Sequence, residues 1–335
     1  MKAGVLGSGS WGTALAQVLC DNGADVLVYG RNPEEVEEIN TAHRNSRYFQ
    51  DLPLSPAVRA TGEISELSEY ADLFLLAVPT QAIPGVLREI LPSVGPETLI
   101  VNAAKGFEWG TNKRLSVCIR DALAGRPCGG IVSLIGPSHA EEVILRMLTS
   151  VCAVSTDVCM AEKVQRIFSN EYLRVYVTAD EIGAEYGVAV KNVIALASGM
   201  LEGRGYGDNA KAALITRGLS ETVRYGVQKG AQRETFFGLT GVGDLIVTCF
   251  SPHSRNYRAG LAIGRADSAS GLAKIPDKTV EGVHSARAVW EDAEKLGVDM
   301  PIVSAVYRVL FEGARPSEEI ARLMRRPLRR ETDPQ

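Results

Sequence analysis

The sequence predicts an α/β domain with a doubly wound, mainly parallel sheet, followed by a mainly α-helical domain. In the first half, short apolar runs typical of buried parallel strands alternate with helical segments. A glycine-rich turn separates the first such run from the first helical segment, and strand signals stop at about residue 180. We therefore place the α/β domain at residues 1–180, the helical domain at 181–324 and a polar tail at 325–335.

The composition is that of an ordinary globular protein. The chain has 335 residues, of which 45% are hydrophobic and 23% are charged. This length and apolar content suffice for two domains, each with its own hydrophobic core. Its net charge of −4 argues against a general binder of nucleic acid or anionic membranes. The six cysteines are scattered without Cys-x-x-Cys pairs, which favours free thiols in a reducing compartment, and the four histidines show no metal-ligand spacing. No metal is expected.

The N-terminal segment has a superficial likeness to a secretion signal. The apolar residues between Met1 and Cys20 are interrupted by Gly7, Gly9 and Gly12, so no continuous apolar region of sufficient length remains. No later stretch is long and apolar enough for a transmembrane helix. The sequence therefore predicts a cytoplasmic protein.

The elements of the first domain can be placed in order along the chain. The predicted strands are residues 3–6, 26–29, 73–78, 98–101 and 131–135. Helical segments cover 11–20 and the stretch that begins at Pro33, whereas residues 41–62 are polar and turn-rich. Because ligands of such sheets bind beyond the carboxyl ends of the strands, we expect Lys105, Gly136 and Ser138, which follow strands, near that edge.

The second half reads as helices. The predicted helices are residues 180–201, 209–229, 285–296, 304–312 and 317–323. The tail carries four arginines, which most simply indicate a solvated end of the chain.

The first turn has the spacing of a dinucleotide-binding motif. Gly7, Gly9 and Gly12 form the pattern G-x-G-x-x-G between a strand and a helix. The first glycine allows the tight turn, the second lets the backbone approach the pyrophosphate, and the third lets the helix pack close to the strand. Glycine-rich turns also arise for packing reasons alone.

The end of the second strand bears on the choice of cofactor. NAD-specific sites usually place an acidic residue there to bind the ribose 2′-hydroxyl, but this chain has Arg31. A guanidinium can pair with the 2′-phosphate of NADP, so acceptance of NADP is expected. The alternative is an exposed loop arginine.

A lysine on the first long helix of the second half is a candidate catalytic residue. Gly183, Gly187 and Lys191 lie four residues apart along one helix face. Small residues there let a backbone or a flat ring approach. The alternative is a close helix contact with Lys191 reaching to water.

Polar residues farther along the chain allow two interpretations each. Asp244 and the run Ser254, Arg255 and Asn256 could hold an oxyanion. They could also be ordinary turn and cap residues, and Glu281 could begin a helix.

Eight sequence blocks resemble bacterial-type NAD(P)-dependent glycerol-3-phosphate dehydrogenases. Together they cover nearly the whole chain, in one order and with sensible spacing. The blocks are GSGSWGTALA (7–16), AAKGFE (103–108), GPSHAEEV (136–143), AVKNVIALASGM (189–200), ALITRGLSE (213–221), GVGDLIVTC (241–249), SRN (254–256) and VEGV (280–283).

The resemblance implies an N-terminal Rossmann domain and a C-terminal domain of the 6-phosphogluconate-dehydrogenase-like type, with the active site in the cleft between them. It implies the reversible reaction of sn-glycerol 3-phosphate and dihydroxyacetone phosphate with NADPH/NADP or NADH/NAD. The reaction would run mainly toward reduction, to supply phospholipid synthesis, and the protein would be a homodimer.

The resemblance also implies roles for individual residues. Lys191 matches the proton donor and acceptor. The implied substrate contacts are Lys105, Gly136, Ser138, Lys191, Asp244, Ser254, Arg255 and Asn256. The implied cofactor contacts are Ser10, Trp11, Arg31, Lys105, Ala140, Arg255 and Glu281, in addition to Gly7, Gly9 and Gly12 of the turn.

This assignment agrees with general catalytic chemistry. An ammonium near the carbonyl oxygen stabilises its growing negative charge and then gives up a proton. If Lys105 and Arg255 lie near Lys191, their like charges favour its neutral form.

The chain departs from the family pattern in two places. Leu148 stands where the family more often has a proline, and residues 41–57 match only loosely, so Tyr48 is not assigned to the cofactor site.

Two other functions fit parts of the pattern. One is a related two-domain dehydrogenase of the β-hydroxyacid or 6-phosphogluconate type, against which the Ser-Arg-Asn run argues. The other is a nicotinamide sensor without turnover, which would need a partner- or DNA-binding module that the sequence does not show.

Overall fold

A computed structural model of the protein describes residues 1–275, 280–328 and 330–331. The chain divides into two compact units, Met1–Glu181 and Ile182–Gln335. Among the described residues, no helix combines the length and the apolar character needed to cross a membrane.

Eight strands form one sheet in the first unit, every residue of which is described. Its strands are β1 (Lys2–Leu6), β2 (Asp25–Tyr29), β3 (Val58–Thr61), β4 (Leu73–Leu76), β5 (Leu99–Asn102), β6 (Gly130–Ile135), β7 (Thr149–Val154) and β8 (Leu173–Thr178). The strand order is β3-β2-β1-β4-β5-β6-β7-β8, and only the β6–β7 pair is antiparallel. This confirms the predicted doubly wound, mainly parallel sheet. Its winding changes direction between β1 and β4, which is where ligands bind in such sheets.

Helices cover both faces of this sheet. They are α1 (Ser10–Asp21), α2 (Pro33–Ala42), α3 (Ser46–Phe49), α4 (Ile64–Tyr70), α5 (Ile83–Ile90), α6 (Leu115–Leu123), α7 (Ala140–Val143) and α8 (Val158–Phe168). Side chains alternate between two buried clusters along each central strand: Val5 and Leu75 join one, and Leu6 and Phe74 join the other. Both faces of the sheet are therefore buried, which explains why the central strands have continuous apolar sequences.

The strands given in the sequence analysis do not include β7 or the two edge strands, β3 and β8. Residues 41–62, read as turn-rich, contain α3 and the edge strand β3. Arg59 at the centre of β3 is exposed and bonds Asp25, so this strand lacks the continuous apolar run of its neighbours. In β8, Arg174 and Tyr176 are exposed, and the same explanation holds. An edge strand buries one face only, and four to six residues are too few for a clear alternating pattern.

The second unit is helical in its described part, as predicted. Its helices are α9 (Glu181–Gly203), α10 (Asp208–Gln228), α11 (Asp244–Phe250), α12 (Arg255–Ala266), α13 (Glu281–Leu296), α14 (Pro301–Phe311) and α15 (Pro316–Met324). The helix α9 is buried along nearly its whole length. This is why its sequence is mostly apolar, without the polar face of an amphipathic helix.

Glycines bring α9 and α12 into direct backbone contact. A Cβ on Gly199 would lie 2.1 Å from the carbonyl oxygen of Tyr257, and one on Gly260 would lie 2.0 Å from that of Leu196. Neither position accepts a side chain without moving a helix. The close packing fixes α12, which carries the Ser-Arg-Asn run at its start.

The polar tail forms two ion pairs with the rest of the second unit where it is described. Arg326 pairs with Asp299 at 2.6 Å, and Glu331 pairs with Arg217. The prediction for residues 329 and 332–335 lies outside the described residues.

The turn before β7, which contains Leu148, has an unusual backbone. Arg146 adopts a positive φ of 57° and its guanidinium binds Asp21 at 2.8 Å. Leu148 itself is 86% exposed, and no residue assigned to the site lies in this turn.

Candidate active site

The glycine-rich turn connects β1 to α1 at the position where the sheet winding reverses. Gly7 has a φ of 120°, in the region that favours glycine, and a Cβ on Gly12 would lie 2.0 Å from the Gly7 carbonyl oxygen. By contrast, no described atom outside the neighbouring residues lies within 4 Å of a Cβ built on Gly9. The turn is thus closely packed at its first and third glycines and open at the second. This is the arrangement that a pyrophosphate at a helix N-terminus needs.

Two residues of the same motif begin α1. Ser10 is its first residue, and Trp11 packs partly buried against the sheet core. The indole Nε1 of Trp11 is buried and has no hydrogen-bond partner among the described residues. An unpaired buried N–H is unfavourable, so this position suits a site that a ligand or water completes. The residues of the turn fit a dinucleotide.

The other residues assigned to the cofactor in this unit differ in exposure. Arg31, directly after Gly30 at the end of β2, is exposed, and its guanidinium has no polar partner in the described part of the chain. Ala140 is the first residue of α7, and its methyl group is buried in the sheet core.

The structure brings Lys105, Gly136 and Ser138 together. The Lys105 ammonium donates to the Gly136 carbonyl oxygen at 2.7 Å and lies 3.4 Å from the Ser138 hydroxyl oxygen. That hydroxyl also donates to the Gly136 carbonyl at 3.0 Å. The contact exists because β5 and β6 are neighbours and the two loops leave the same edge of the sheet. It places a half-buried positive charge at the carboxyl edge.

In the second unit, Lys191 lies in a buried polar group on α9 and α11. Its Nζ is 2.5 Å from Asp244 Oδ1 and donates to Thr248 Oγ1 at 2.9 Å. The Thr248 hydroxyl is in turn 3.4 Å from Asp244 Oδ1. Lys191 is only 5% exposed and Asp244 only 1%. One turn of α11 thus presents a carboxylate and a hydroxyl to the same ammonium.

The alternative for Lys191 is therefore half right. Gly187 does make a close contact, because a Cβ there would lie 2.6 Å from the Thr240 carbonyl oxygen. Lys191, however, does not reach to water. A buried carboxylate at this distance stabilises the ammonium form, since opposite charges attract strongly where water is excluded. The sequence analysis considered only cations near Lys191, and the structure adds this anion.

The Ser-Arg-Asn run begins α12 and has structural contacts of its own. The Ser254 hydroxyl accepts the N–H of Tyr257 at 3.2 Å, so Ser254 is a helix cap, as the alternative proposed. Asn256 donates to the Asn192 side chain at 3.0 Å and accepts the N–H of Gly282 at 2.9 Å. The amide of Asn256 thereby joins α9, α12 and the start of α13.

Two charged residues stand at the first positions of these helices. Arg255, the first residue of α12, is exposed and has no polar partner among the described residues. Glu281 is the first residue of α13. The position of Glu281 agrees with its helix-start interpretation, and the ligand roles of both residues stay predictions.

The sequence analysis did not single out Thr248 or Asn192. Thr248 lies four residues after Asp244, on the same face of α11, and this spacing was an available signal. Asn192 follows Lys191 directly, and only the structure shows its bond to Asn256.

The cysteines supply no nucleophile to this group. All six are free thiols, and Cys249 follows Thr248 in a buried position. Burial raises the pKa of the Cys249 thiol to about 12, so it stays protonated at neutral pH.

Comparison with known proteins decides the family. A family model described as the NAD-dependent glycerol-3-phosphate dehydrogenase N-terminus matches residues 2–161, and the corresponding C-terminus model matches residues 180–321. A glycerol-3-phosphate dehydrogenase (NAD(P)+) from an Exiguobacterium species is 48% identical over 98% of this chain and 96% of its own length. The chain belongs to the NAD-dependent glycerol-3-phosphate dehydrogenase family.

Other members of the family agree in sequence and in fold. A relative of the same name from Staphylococcus epidermidis is 46% identical, over 97% of this chain and 98% of its own. The crystal structure of glycerol-3-phosphate dehydrogenase from Coxiella burnetii matches with a TM-score of 0.88 and 32% identity, covering 97% of this chain and 99% of that one. Family membership thus rests on both units, and the resemblance that the eight blocks indicated is confirmed.

Proposed function

We propose that the protein interconverts sn-glycerol 3-phosphate and dihydroxyacetone phosphate with NADPH/NADP or NADH/NAD. The observation that carries the proposal is the buried Lys191–Asp244 pair, with Thr248 on the same ammonium, in a member of this family. The relatives that match 97–98% of the chain are named as glycerol-3-phosphate dehydrogenases. The direction we propose is mainly reduction of the ketone, which supplies glycerophospholipid synthesis.

In this proposal Lys191 is the catalytic residue. The nicotinamide, when bound, supplies the redox chemistry. Negative charge then grows on the carbonyl oxygen of the substrate, where the Lys191 ammonium stabilises it and donates the proton. Asp244 and Thr248 hold the ammonium in one orientation, so that its proton is presented in a fixed direction. In the oxidative direction the neutral amine accepts the proton back.

We assign substrate binding to polar groups of both units. In the first unit these are Lys105, Gly136 and Ser138, which already contact one another. In the second unit they are Asp244, Ser254, Arg255 and Asn256, with Arg255 as the cation for the phosphate. Ser254 and Asn256 are held by their bonds to backbone and to Asn192, so a ligand would meet groups that are already ordered.

We assign cofactor binding to the open turn and to further residues of both units. The residues are Gly7, Gly9, Ser10, Trp11, Gly12, Arg31, Lys105, Ala140, Arg255 and Glu281. Arg31 favours the use of NADP, because the end of β2 carries a cation where NAD-specific sites have an acid. We further propose a homodimer in the cytoplasm.

The reaction is tested directly by the absorbance of the reduced nicotinamide at about 340 nm. Dihydroxyacetone phosphate is supplied with NADPH and, in parallel, with NADH, and a panel of hydroxyacids is assayed in the opposite direction. We expect turnover with dihydroxyacetone phosphate and acceptance of NADPH. Turnover of hydroxyacids alone would favour the β-hydroxyacid-type dehydrogenase, and cofactor binding without any turnover would favour a sensor.

Replacing Arg255 with alanine tests the phosphate role. We expect the KM for dihydroxyacetone phosphate to rise by about tenfold or more, the value of a lost charge-assisted hydrogen bond, with a smaller change in kcat. Arg265→Ala, an exposed arginine in the last turn of the same helix, is the matched control. An unchanged KM in Arg255→Ala, or an equal rise in both variants, contradicts the assignment.

A further inference from the structure

A buried acid, Glu35, lies beside the glycine-rich turn and is not used by the proposed reaction. It is 6% exposed, in the first turn of α2. Its carboxylate accepts hydrogen bonds from the Ser8 hydroxyl at 2.9 Å, the Arg47 guanidinium at 2.7 Å and the Asn32 amide at 3.4 Å. Three donors satisfy it in the protein interior, as a buried charge requires.

The three donors come from the parts of the fold that surround the adenosine end of a dinucleotide. Ser8 is within the glycine-rich turn, and Asn32 follows the end of β2. A Cβ on Gly30 would lie 2.7 Å from the Ser8 hydroxyl oxygen, so the absence of a side chain there admits the bond from Ser8 to Glu35. In this fold the adenosine ribose lies at the end of β2, and an arginine nearby accommodates a 2′-phosphate.

Arg47 is tied to the same place by a second route. Asn45, two residues earlier, is fully buried, and its amide donates to the Ser8 carbonyl oxygen at 2.8 Å and to the Thr13 hydroxyl at 2.9 Å. The segment that carries Arg47 is therefore anchored to the turn through its backbone neighbour and through Glu35. Its side chain is nevertheless 62% exposed. Arg47 is thus an oriented, accessible cation, whereas Arg31 has no polar partner in the described residues.

We propose that Arg47 is a specificity-determining residue that binds the 2′-phosphate of NADP(H), and that Glu35 is the positioning residue that joins it to Ser8 of the turn. This inference rests on the proposed function only in supposing that the first unit binds a nicotinamide dinucleotide. Glu35 lies beneath the guanidinium with its oxygens already bonded, and it orients the cation from the side away from solvent. Ordering the arginine before binding lowers the entropic cost of recognising the phosphate.

Binding of 2′,5′-ADP and of ADP, measured by calorimetry without substrate, tests this independently of turnover. Both probes are adenosine nucleotides with phosphate at the 5′ position, a monophosphate in 2′,5′-ADP and a diphosphate in ADP. Only 2′,5′-ADP carries the 2′-phosphate. We expect Arg47→Ala to weaken 2′,5′-ADP binding by about tenfold or more and to change ADP binding by less than about twofold. Arg47→Lys, which keeps the charge without the planar fork, should recover part of the loss.

Arg44→Ala is the matched control. It removes the same charge three residues away, from an exposed arginine that pairs with Asp51. Equal weakening in both variants would reduce the effect to long-range electrostatics and overturn the proposal. An equal loss of affinity for 2′,5′-ADP and for ADP in Arg47→Ala would also overturn the proposal. The same holds if the preference for 2′,5′-ADP depends wholly on Arg31.

The role of Glu35 is tested by a double-mutant cycle. We expect Glu35→Gln to lower the preference for 2′,5′-ADP over ADP by about threefold to tenfold, and to have no further effect once Arg47 is alanine. A thermal melt confirms that Glu35→Gln is folded. If Glu35→Gln strengthens 2′,5′-ADP binding, Glu35 acts only by repelling the phosphate, and the positioning role is wrong. Absence of dehydrogenase activity would leave these binding ratios interpretable and would count against the proposed function alone.

Discussion

Replacing Lys191 with alanine is expected to lower kcat by about 100-fold or more, the usual range for a lost general acid. The reason is that Lys191 is the buried ammonium held by Asp244 and Thr248. Cofactor affinity should change little, because the glycine-rich turn belongs to the first unit. Stopped-flow or steady-state rates with dihydroxyacetone phosphate give kcat, and calorimetry with the cofactor alone gives the affinity.

Lys191→Arg separates charge from proton transfer. Arginine keeps the positive partner for Asp244, but a guanidinium does not give up its proton under ordinary conditions. We therefore expect this variant to remain as slow as Lys191→Ala, although its stability is closer to that of the unaltered protein. Lys295→Ala, an exposed lysine on α13, is the matched control. Near-normal turnover in Lys191→Ala would remove Lys191 from the mechanism.

The parts of the fold that the sequence predicts are those encoded by local patterns. The central strands β1, β4 and β5 are buried on both faces, so each has a continuous apolar run that identifies it. The edge strand β3 lacks such a run because Arg59 faces solvent, and the sequence analysis missed it. The antiparallel insertion of β7 depends on a pairing with β6 that no local pattern specifies.

In the candidate site, too, some features follow from local sequence patterns and others do not. The spacing of Gly7, Gly9 and Gly12 has a local physical meaning, and the geometry of the turn agrees with it. The hydrogen bonds from Ser8 to Glu35 and from Asn256 to Asn192 join residues 27 and 64 positions apart. Glu221 is a similar case, because its buried carboxylate accepts the backbone N–H of Ile302, 81 residues away. Such contacts follow from tertiary packing, so no local sequence pattern points to the two partners.

Replacing Asp244 with asparagine is expected to reduce the free energy of unfolding by about 3–5 kcal/mol at neutral pH, because it leaves a buried ammonium without its counter-charge. A second argument sets the upper limit of this loss in the free energy of unfolding. The folded variant can relieve the unpaired charge by releasing the proton of Lys191, and neutralising a lysine of ordinary pKa at pH 7 costs about 4–5 kcal/mol. Urea unfolding of both proteins under the same conditions measures the difference.

The loss of stability in Asp244→Asn should depend on pH, because proton release from Lys191 couples folding to pH. If Lys191 is neutral in the folded variant and charged in its unfolded state, the unfolded state binds more protons, and stability rises with pH. The deficit relative to the unaltered protein should therefore be smaller at pH 9 than at pH 7. A deficit that is constant across this range would mean that the ammonium stays charged and finds another partner.

A double substitution distinguishes the charge from the packing. Lys191→Met with Asp244→Leu removes both buried charges, and we expect it to recover much of the stability lost in Asp244→Asn, since apolar residues can replace a buried ion pair at little cost. Activity should not recover, because no group remains to transfer the proton. Asp208→Asn, an exposed acid at the start of α10, controls for the loss of one negative charge. If the stable double variant is active, the pair does not take part in the proton transfer. If it is stable and inactive, a pair that folding does not require is retained for its chemistry.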